Sequence, residues 1–151
     1  MNHQTQEPTM TVMEVRGRQI VRWHLNGKLH RLDGPALYSP KGFCWFKDGR
    51  LHRTDGPAAV LSDGVEEWAV EGQLHRLDGA AKKDQHGNQS WYQYGVHHRD
   101  NAPAIERADG YRAWYCRGVR HREHGPAVIH PDGSEEWWIN GVCVSPPTKT
   151  I

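Results

Sequence analysis

Tryptophan returns in this chain at a nearly constant interval, at Trp23, Trp45, Trp68, Trp91, Trp114 and Trp137, with spacings of 22, 23, 23, 23 and 23 residues. A period of this size means that each repeat is one supersecondary unit, too small to bury an apolar face alone, that must stack on its neighbours. Four residues after each of these tryptophans stands a glycine: Gly27, Gly49, Gly72, Gly95, Gly118 and Gly141. A glycine at so fixed a place predicts a positive-φ turn. His-Arg follows in five copies, as His30-Arg31, His52-Arg53, His75-Arg76, His98-Arg99 and His121-Arg122, while the sixth runs into Cys143 and a Pro-Pro segment. Next come one variable residue and Asp-Gly-Pro-Ala. That motif is intact at 33–36 and 55–58 and altered to Asp-Gly-Ala-Ala, Asn-Ala-Pro-Ala and His-Gly-Pro-Ala in the three copies after.

Late in each repeat lies a second glycine, usually preceded by Asp, at Gly42, Gly64, Gly87, Gly110 and Gly133. Residues 58–61, the Asp-Gly turn and residues 66–70 thus read as strand, tight turn, strand. The proline of Asp-Gly-Pro-Ala cannot donate a ladder hydrogen bond and suits the first residue of the returning strand. No stretch has useful helical periodicity. The expected fold class is all-β: tandem antiparallel β-hairpin repeats of about 23 residues forming an elongated twisted sheet or an open solenoid. Period-two alternation places Trp23 with Leu25, Trp68 with Val70, Trp114 with Cys116 and Trp137 with Ile139 on one face, the expected core. Phe46, Tyr92, Tyr115 and Trp138 fall on the opposite face, where they are expected to meet a covering loop or a partner. The organisation expected is a mobile lead over 1–11, one repeat domain over 12–144 that opens with a half-repeat cap around Gly17, and a tail over 145–151.

Only 36% of residues are apolar, but net charge is +1 and seven tryptophans are present, so the composition reads as folded with tryptophan in the core. Interspersed Lys, Arg, Asp and Glu give no basic field of the kind that draws nucleic acid. No apolar run approaches the length of a membrane span. The first residues lack the basic and apolar segments of a secretory signal, so a cytoplasmic protein is expected. Cys44, Cys116 and Cys143 form no CxxC pair and read as free thiols in a reducing compartment.

The His-Arg stripe is the strongest chemical feature. Five equally spaced copies would align imidazoles and guanidiniums in a column able to grip phosphate or carboxylate. Equally, Asp33, Asp55 and Asp78 lie two residues after Arg31, Arg53 and Arg76 and offer acceptors within the same loop. Both readings stand at this point. Repeats four and five deviate most, with Asn101-Ala102-Pro103-Ala104, His97 beside His98, and His124 in place of the usual Asp. His98, His121 and His124 suit zinc as residue types, but no CxxC, HxH or HExxH spacing supports a metal site, and no cofactor motif is present. Ser39, Ser62, Ser90, Ser134 and Ser145 stand outside any G-x-S-x-G, and Cys116 on the core face reads as a small hydrophobe. Glu66-Glu67 and Glu135-Glu136 are adjacent on strands and point to opposite faces, where they keep strands soluble and discourage edge pairing.

The recurring Trp-x-x-x-Gly and His-Arg-x-Asp-Gly-Pro-Ala over about residues 12–144 resemble the variant MORN-type repeats of bacteria and their phages. The resemblance implies successive β-hairpins and a scaffold that binds. It further implies an antitoxin-like inhibitor or a counter-defence factor acting in the host cytosol. The chain lacks the Tyr-x-Gly start of the ordinary MORN pattern, so lipid binding is not implied. A non-enzymatic protein-interaction module is therefore expected, meeting its partner through Phe46, Tyr92, Tyr115 and Trp138, with homodimerisation through terminal hairpin edges as a further option. The alternative is a binder of a small anionic, nucleotide-like ligand held by Arg31, Arg53, Arg76, His97, His98, Arg99, His121, Arg122 and His124, and a His-dependent hydrolase in repeats four and five is the third reading. Trp23, Trp45, Trp68, Trp91, Trp114 and Trp137, with the six glycines that follow them, are assigned to structure.

Overall fold

The structure, a computed structural model, describes residues 6–147. All regular elements among them are β-strands, paired antiparallel. The chain divides into two compact units, Met1–Gln73 and Leu74–Ile151. No helix among the described residues is long and apolar enough to cross a membrane.

In the N-terminal unit an open ladder runs through Thr9–Val15, Arg18–Leu25, Leu37–Ser39, Gly42–Cys44, Ala59–Leu61 and Glu66–Glu67 in chain order. The first pair keeps register from Thr9↔His24 to Val15↔Arg18. Residues 9–11, expected in the mobile lead, are thus strand, because their backbone groups pair with 22–24. Residues 1–5 and 148–151 of the expected lead and tail lie outside the described residues. In the C-terminal unit the ladder runs through Lys82–Lys83, Gln89–Ser90, Ile105–Glu106, Arg112–Ala113, Val128–Ile129, Glu135–Ile139 and Val142–Val144. Neither ladder closes on itself.

Short side hairpins leave the ladders: Phe46–Lys47 with Arg50–Leu51, Tyr92–Gln93 with Val96–His97, and Tyr115–Cys116 with Val119–Arg120. Their turns are Asp48-Gly49 (φ 51 and 80), Tyr94-Gly95 (47 and 81) and Arg117-Gly118 (48 and 86). Two consecutive positive φ values define the type I′ turn, whose twist matches that of the strands it joins; the fixed glycine serves this geometry. The Asp-Gly turns have another form. The Gly64 N–H donates to Leu61 O at 3.0 Å, Leu61 N–H donates to Val65 O at 2.8 Å, and Asp63 accepts from Val65 N–H at 3.2 Å.

Four of the repeating tryptophans are joints between ladder and side hairpin. The Trp45 N–H donates to Ala58 O at 2.7 Å on the ladder side, and its carbonyl accepts from His52 N–H at 3.0 Å on the hairpin side. Trp23 is tied in the same way to Ala36 and His30, Trp91 to Ala104 and His98, and Trp114 to Ala127 and His121. The expected tryptophan core is not what forms. The buried apolar residues are alanines, among them Ala36, Ala58, Ala69, Ala81, Ala104, Ala113 and Ala127, together with Val128. All six repeating tryptophans, and Leu25, Val70, Cys116 and Ile139 with them, are half-buried. The alanine that ends Asp-Gly-Pro-Ala accepts from the tryptophan N–H at the ladder, where its small side chain is buried, and the indole is covered by arginine.

Candidate functional site

The His-Arg pairs occupy that covering position. The guanidinium carbon lies over the tryptophan of its own repeat at 4.4 Å for Arg31 on Trp23, 4.3 Å for Arg53 on Trp45, 3.7 Å for Arg99 on Trp91 and 3.9 Å for Arg122 on Trp114. These are cation–π distances. In the first three repeats Nε also donates to the aspartate two residues on: Arg31 to Asp33 at 2.9 Å, Arg53 to Asp55 at 2.8 Å and Arg76 to Asp78 at 2.8 Å. The terminal nitrogen reaches a loop carbonyl, Pro57 from Arg53, Ala80 from Arg76, Pro103 from Arg99 and Pro126 from Arg122. A Cβ on Gly34, Gly56 or Gly79 would stand 2.7, 2.6 or 2.8 Å from the guanidinium carbon. Each position of Asp-Gly-Pro-Ala thus serves the arginine or the core: Asp accepts from Nε, Gly leaves room for the guanidinium, Pro offers its carbonyl to the terminal nitrogen, and Ala is small enough to bury. The arginine hydrogen bond holds the carboxyls of Asp33, Asp55 and Asp78 below the usual carboxylate range.

Histidine closes the next repeat. Nδ1 of His30, His52, His75, His98 and His121 accepts from the backbone N–H of Asp48, Glu71, Tyr94, Arg117 and Asn140, at 3.0 to 3.2 Å. Each donor is the first residue of a tight hairpin turn. Accepting at Nδ1 calls for the neutral Nε2–H tautomer. His30 and His52 also have a carboxylate oxygen near Nδ1, from Asp48 at 2.9 Å and Glu71 at 3.2 Å. In repeats four and five the acid sits on the other nitrogen, Asp100 at 3.4 Å from His98 Nε2 and Glu123 at 3.9 Å from His121 Nε2.

Phe46, Tyr92, Tyr115 and Trp138, expected on an exposed face, are half-buried because the side hairpins stack. In the C-terminal unit they join a row. His97 lies 4.0 Å from Tyr92 and 5.1 Å from Tyr115, Arg120 Nε donates to the Tyr115 hydroxyl at 3.4 Å, and Arg120 lies 5.0 Å over Trp138. Desolvation lowers the His97 pKa, and its Nδ1 is buried with no hydrogen-bond partner among the described residues. Glu136 ends the row, accepting from His130 Nε2 at 2.7 Å, Trp138 Nε1 at 2.7 Å and Arg120 at 3.0 Å. The His130 and indole hydrogen bonds lower its pKa. From the sequence this carboxylate reads only as a solubilising charge. Its partners lie up to 16 residues away in the chain, and nothing short of the register brings them together.

The residue after each turn glycine carries no signal in the sequence reading, yet it stands out in the structure. Val96, Val119 and Val142 are 43, 43 and 63% exposed, beside Tyr94 at 68%. They are in file: a Cβ on Gly118 would touch Val96 at 3.3 Å, and one on Gly141 would touch Val119 at 3.6 Å. Arg117 is exposed among them, with no carboxylate partner among the described residues. Two clefts flank the arginine loops. One of about 400 Å³ is lined by Arg31, Asp33, Arg53 and Asp55, and one of about 440 Å³ by Arg99, Asn101, Trp114, Arg122 and His124.

His98, His121 and His124 line the second cleft, but among the described residues no three His, Cys, Asp or Glu side chains are grouped to hold a metal ion. Cys44 and Cys116 are half-buried thiols and Cys143 an exposed one. Burial raises the pKa of Cys44. No family model, curated protein or solved structure matches the chain, so the likeness to MORN-type repeats rests on the repeated motif alone.

Proposed function

We propose that the chain is a non-enzymatic, MORN-like repeat module that binds another protein. The observation that carries this is the exposed file of Tyr94, Val96, Val119 and Val142 in the C-terminal unit. The arginine column that would serve a ligand along the whole array is engaged with tryptophan and loop groups, whereas the valine side chains are left open to solvent. Exposed apolar side chains in register mark an interaction surface. With Arg117 exposed beside them, the partner that fits is a protein segment carrying apolar side chains and a carboxylate, so that the charge at the file is matched. The family likeness extends the reading to a bacterial or phage inhibitor in the host cytosol, with a toxin or a defence enzyme as its partner.

The test is affinity capture from host cells with the wild type and with Val119→Lys. A protein recovered in fixed stoichiometry by the wild type and lost with Val119→Lys, at unchanged melting temperature, supports the reading. A partner held equally by both forms removes the valine file from the interface, and no stoichiometric partner at all overturns the proposal.

A further inference from the structure

The repeats provide their own control for arginine. In repeats one to three the guanidinium meets an aspartate at 2.8 to 2.9 Å, and in repeat four Arg99 meets Glu106 at 2.7 Å. Arg122 in repeat five has no carboxylate within ion-pair distance among the described residues. It stacks on Trp114 at 3.9 Å and donates to Pro126 O at 3.0 Å. The residue in the place of the aspartate is His124. The loop differs as well: Gly125 has φ 126, in the left-handed region, where Gly34, Gly56 and Gly79 have no such conformation.

We infer that the cleft between Arg99 and Arg122 binds a small oxyanion, a phosphate or carboxylate group, at Arg122 and His124. A stacked guanidinium is held in one plane, so its remaining N–H groups face an acid with little ordering left to lose, and two parallel bonds to two oxygens are the pairing such a fork makes. His124 is itself a donor through either ring nitrogen, and the amide of Asn101 lines the same cleft. The indole face of Trp114 is already covered by Arg122, so the site recognises the acid group and not an aromatic base. The acids of the cleft, Asp100 and Glu123, are turned to His98 and His121 and are 83 and 72% exposed. This site uses none of the residues of the valine file and does not depend on the protein-binding reading.

The experiment compares the wild type with His124→Asp, which returns repeat five to the Asp-Gly-Pro-Ala pattern and gives Arg122 an acceptor of its own. Inorganic phosphate and acetate are titrated into each at fixed ionic strength, followed by melting temperature and by the amide and indole NMR signals of the cleft. The expected result is a saturable response of the wild type, with shifts confined to Trp114, Arg122 and His124, and at least a tenfold weaker response in His124→Asp. Response to phosphate alone assigns a phosphate ligand; response to both assigns any small oxyanion. Equal responses in the two proteins, or no saturable shift in the wild type, overturns the inference. His124→Asp is expected to melt at or above the wild-type temperature, so lost binding would not report a lost fold.

Discussion

The two compact units use one hairpin for different surfaces. In the N-terminal unit the turns read Asn26-Gly27-Lys28, Asp48-Gly49-Arg50 and Glu71-Gly72-Gln73, and their exposed tips exchange ion pairs, Lys47 to Glu71 at 3.2 Å and Arg50 to Glu71 at 3.9 Å. In the C-terminal unit the same positions read Tyr94-Gly95-Val96, Arg117-Gly118-Val119 and Asn140-Gly141-Val142. The glycine and the positive φ before it persist throughout, since the type I′ turn requires them, while the side chain after the glycine is free to change. The arginine loops show the same division. Asp33 and Asp55 secure their arginines in the first unit; in the second Asp78 still secures Arg76, but Asn101 and His124 stand in that place in the next two repeats. A repeat array can carry a local function only where a copy departs from what its neighbours need for stacking.

The largest effect that would break this comparison is expected at the glycine of Asp-Gly-Pro-Ala. Gly56→Ala places a Cβ about 2.6 Å from the Arg53 guanidinium carbon and must displace it from Trp45. The guanidinium ends a flexible side chain, so the cost is chiefly its contact with Trp45, about 0.5–2 kcal/mol, and urea unfolding should show it. Repeat four already carries Ala102 at this position; Arg99 sits closer to its tryptophan there, at 3.7 Å, and turns to Glu106. Ala102→Gly is therefore expected to change stability by under about 0.5 kcal/mol. Equal losses in the two variants would show that the two loops are not differently adapted.

How much of the molecule is legible in its sequence can be judged at single positions. The type I′ glycines, the second set of turns and the loop pairing of Asp33 with Arg31 follow from spacing, because each is a local constraint within a few residues. The stacking of arginine on tryptophan does not, since the segment between Trp23 and Arg31 contains the hairpin that folds one back on the other. Nor does the alanine core, since the alanines are brought to the ladder by backbone bonds to tryptophans 13 residues away. Alternation alone puts the aromatic residue that follows four of the six tryptophans on an open face; it says which face a side chain takes, but not that the next hairpin covers it. The valine file stands one residue after a glycine that the spacing already singles out, and it escapes a sequence reading because each valine is isolated in its own repeat.

Acid should separate the units further. His97 belongs to the C-terminal unit alone, and desolvation holds its pKa below the ordinary 6.5. The unfolded chain then binds the proton more readily than the folded one, so stability rises with pH across that window. The contribution is complete above the ordinary value and is lost as pH falls through the lower folded one. Unfolding midpoints at pH 7.5 and 5 should fall more for the wild type than for His97→Phe, which keeps an aromatic ring between Tyr92 and Tyr115. Identical pH slopes would clear His97 of any part in the acid sensitivity.

The smallest stability effect belongs to the reciprocal exchange, Asp55→His, which writes the repeat-five residue into the N-terminal unit. The carboxylate of Asp55 is 78% exposed, and an ion pair so open to solvent contributes little, so melting should drop only slightly. Its effect on binding is expected to be larger. With Asp55 gone, Arg53 remains stacked on Trp45 and is freed at Nε, in a cleft that also holds Lys47 and Arg31. Inorganic phosphate should then shift the indole signal of Trp45, which it leaves unmoved in the wild type. If phosphate binds at Arg122 but not at this rebuilt site, an unpaired arginine beside histidine is not enough, and the left-handed loop at Gly125 is what presents the donors.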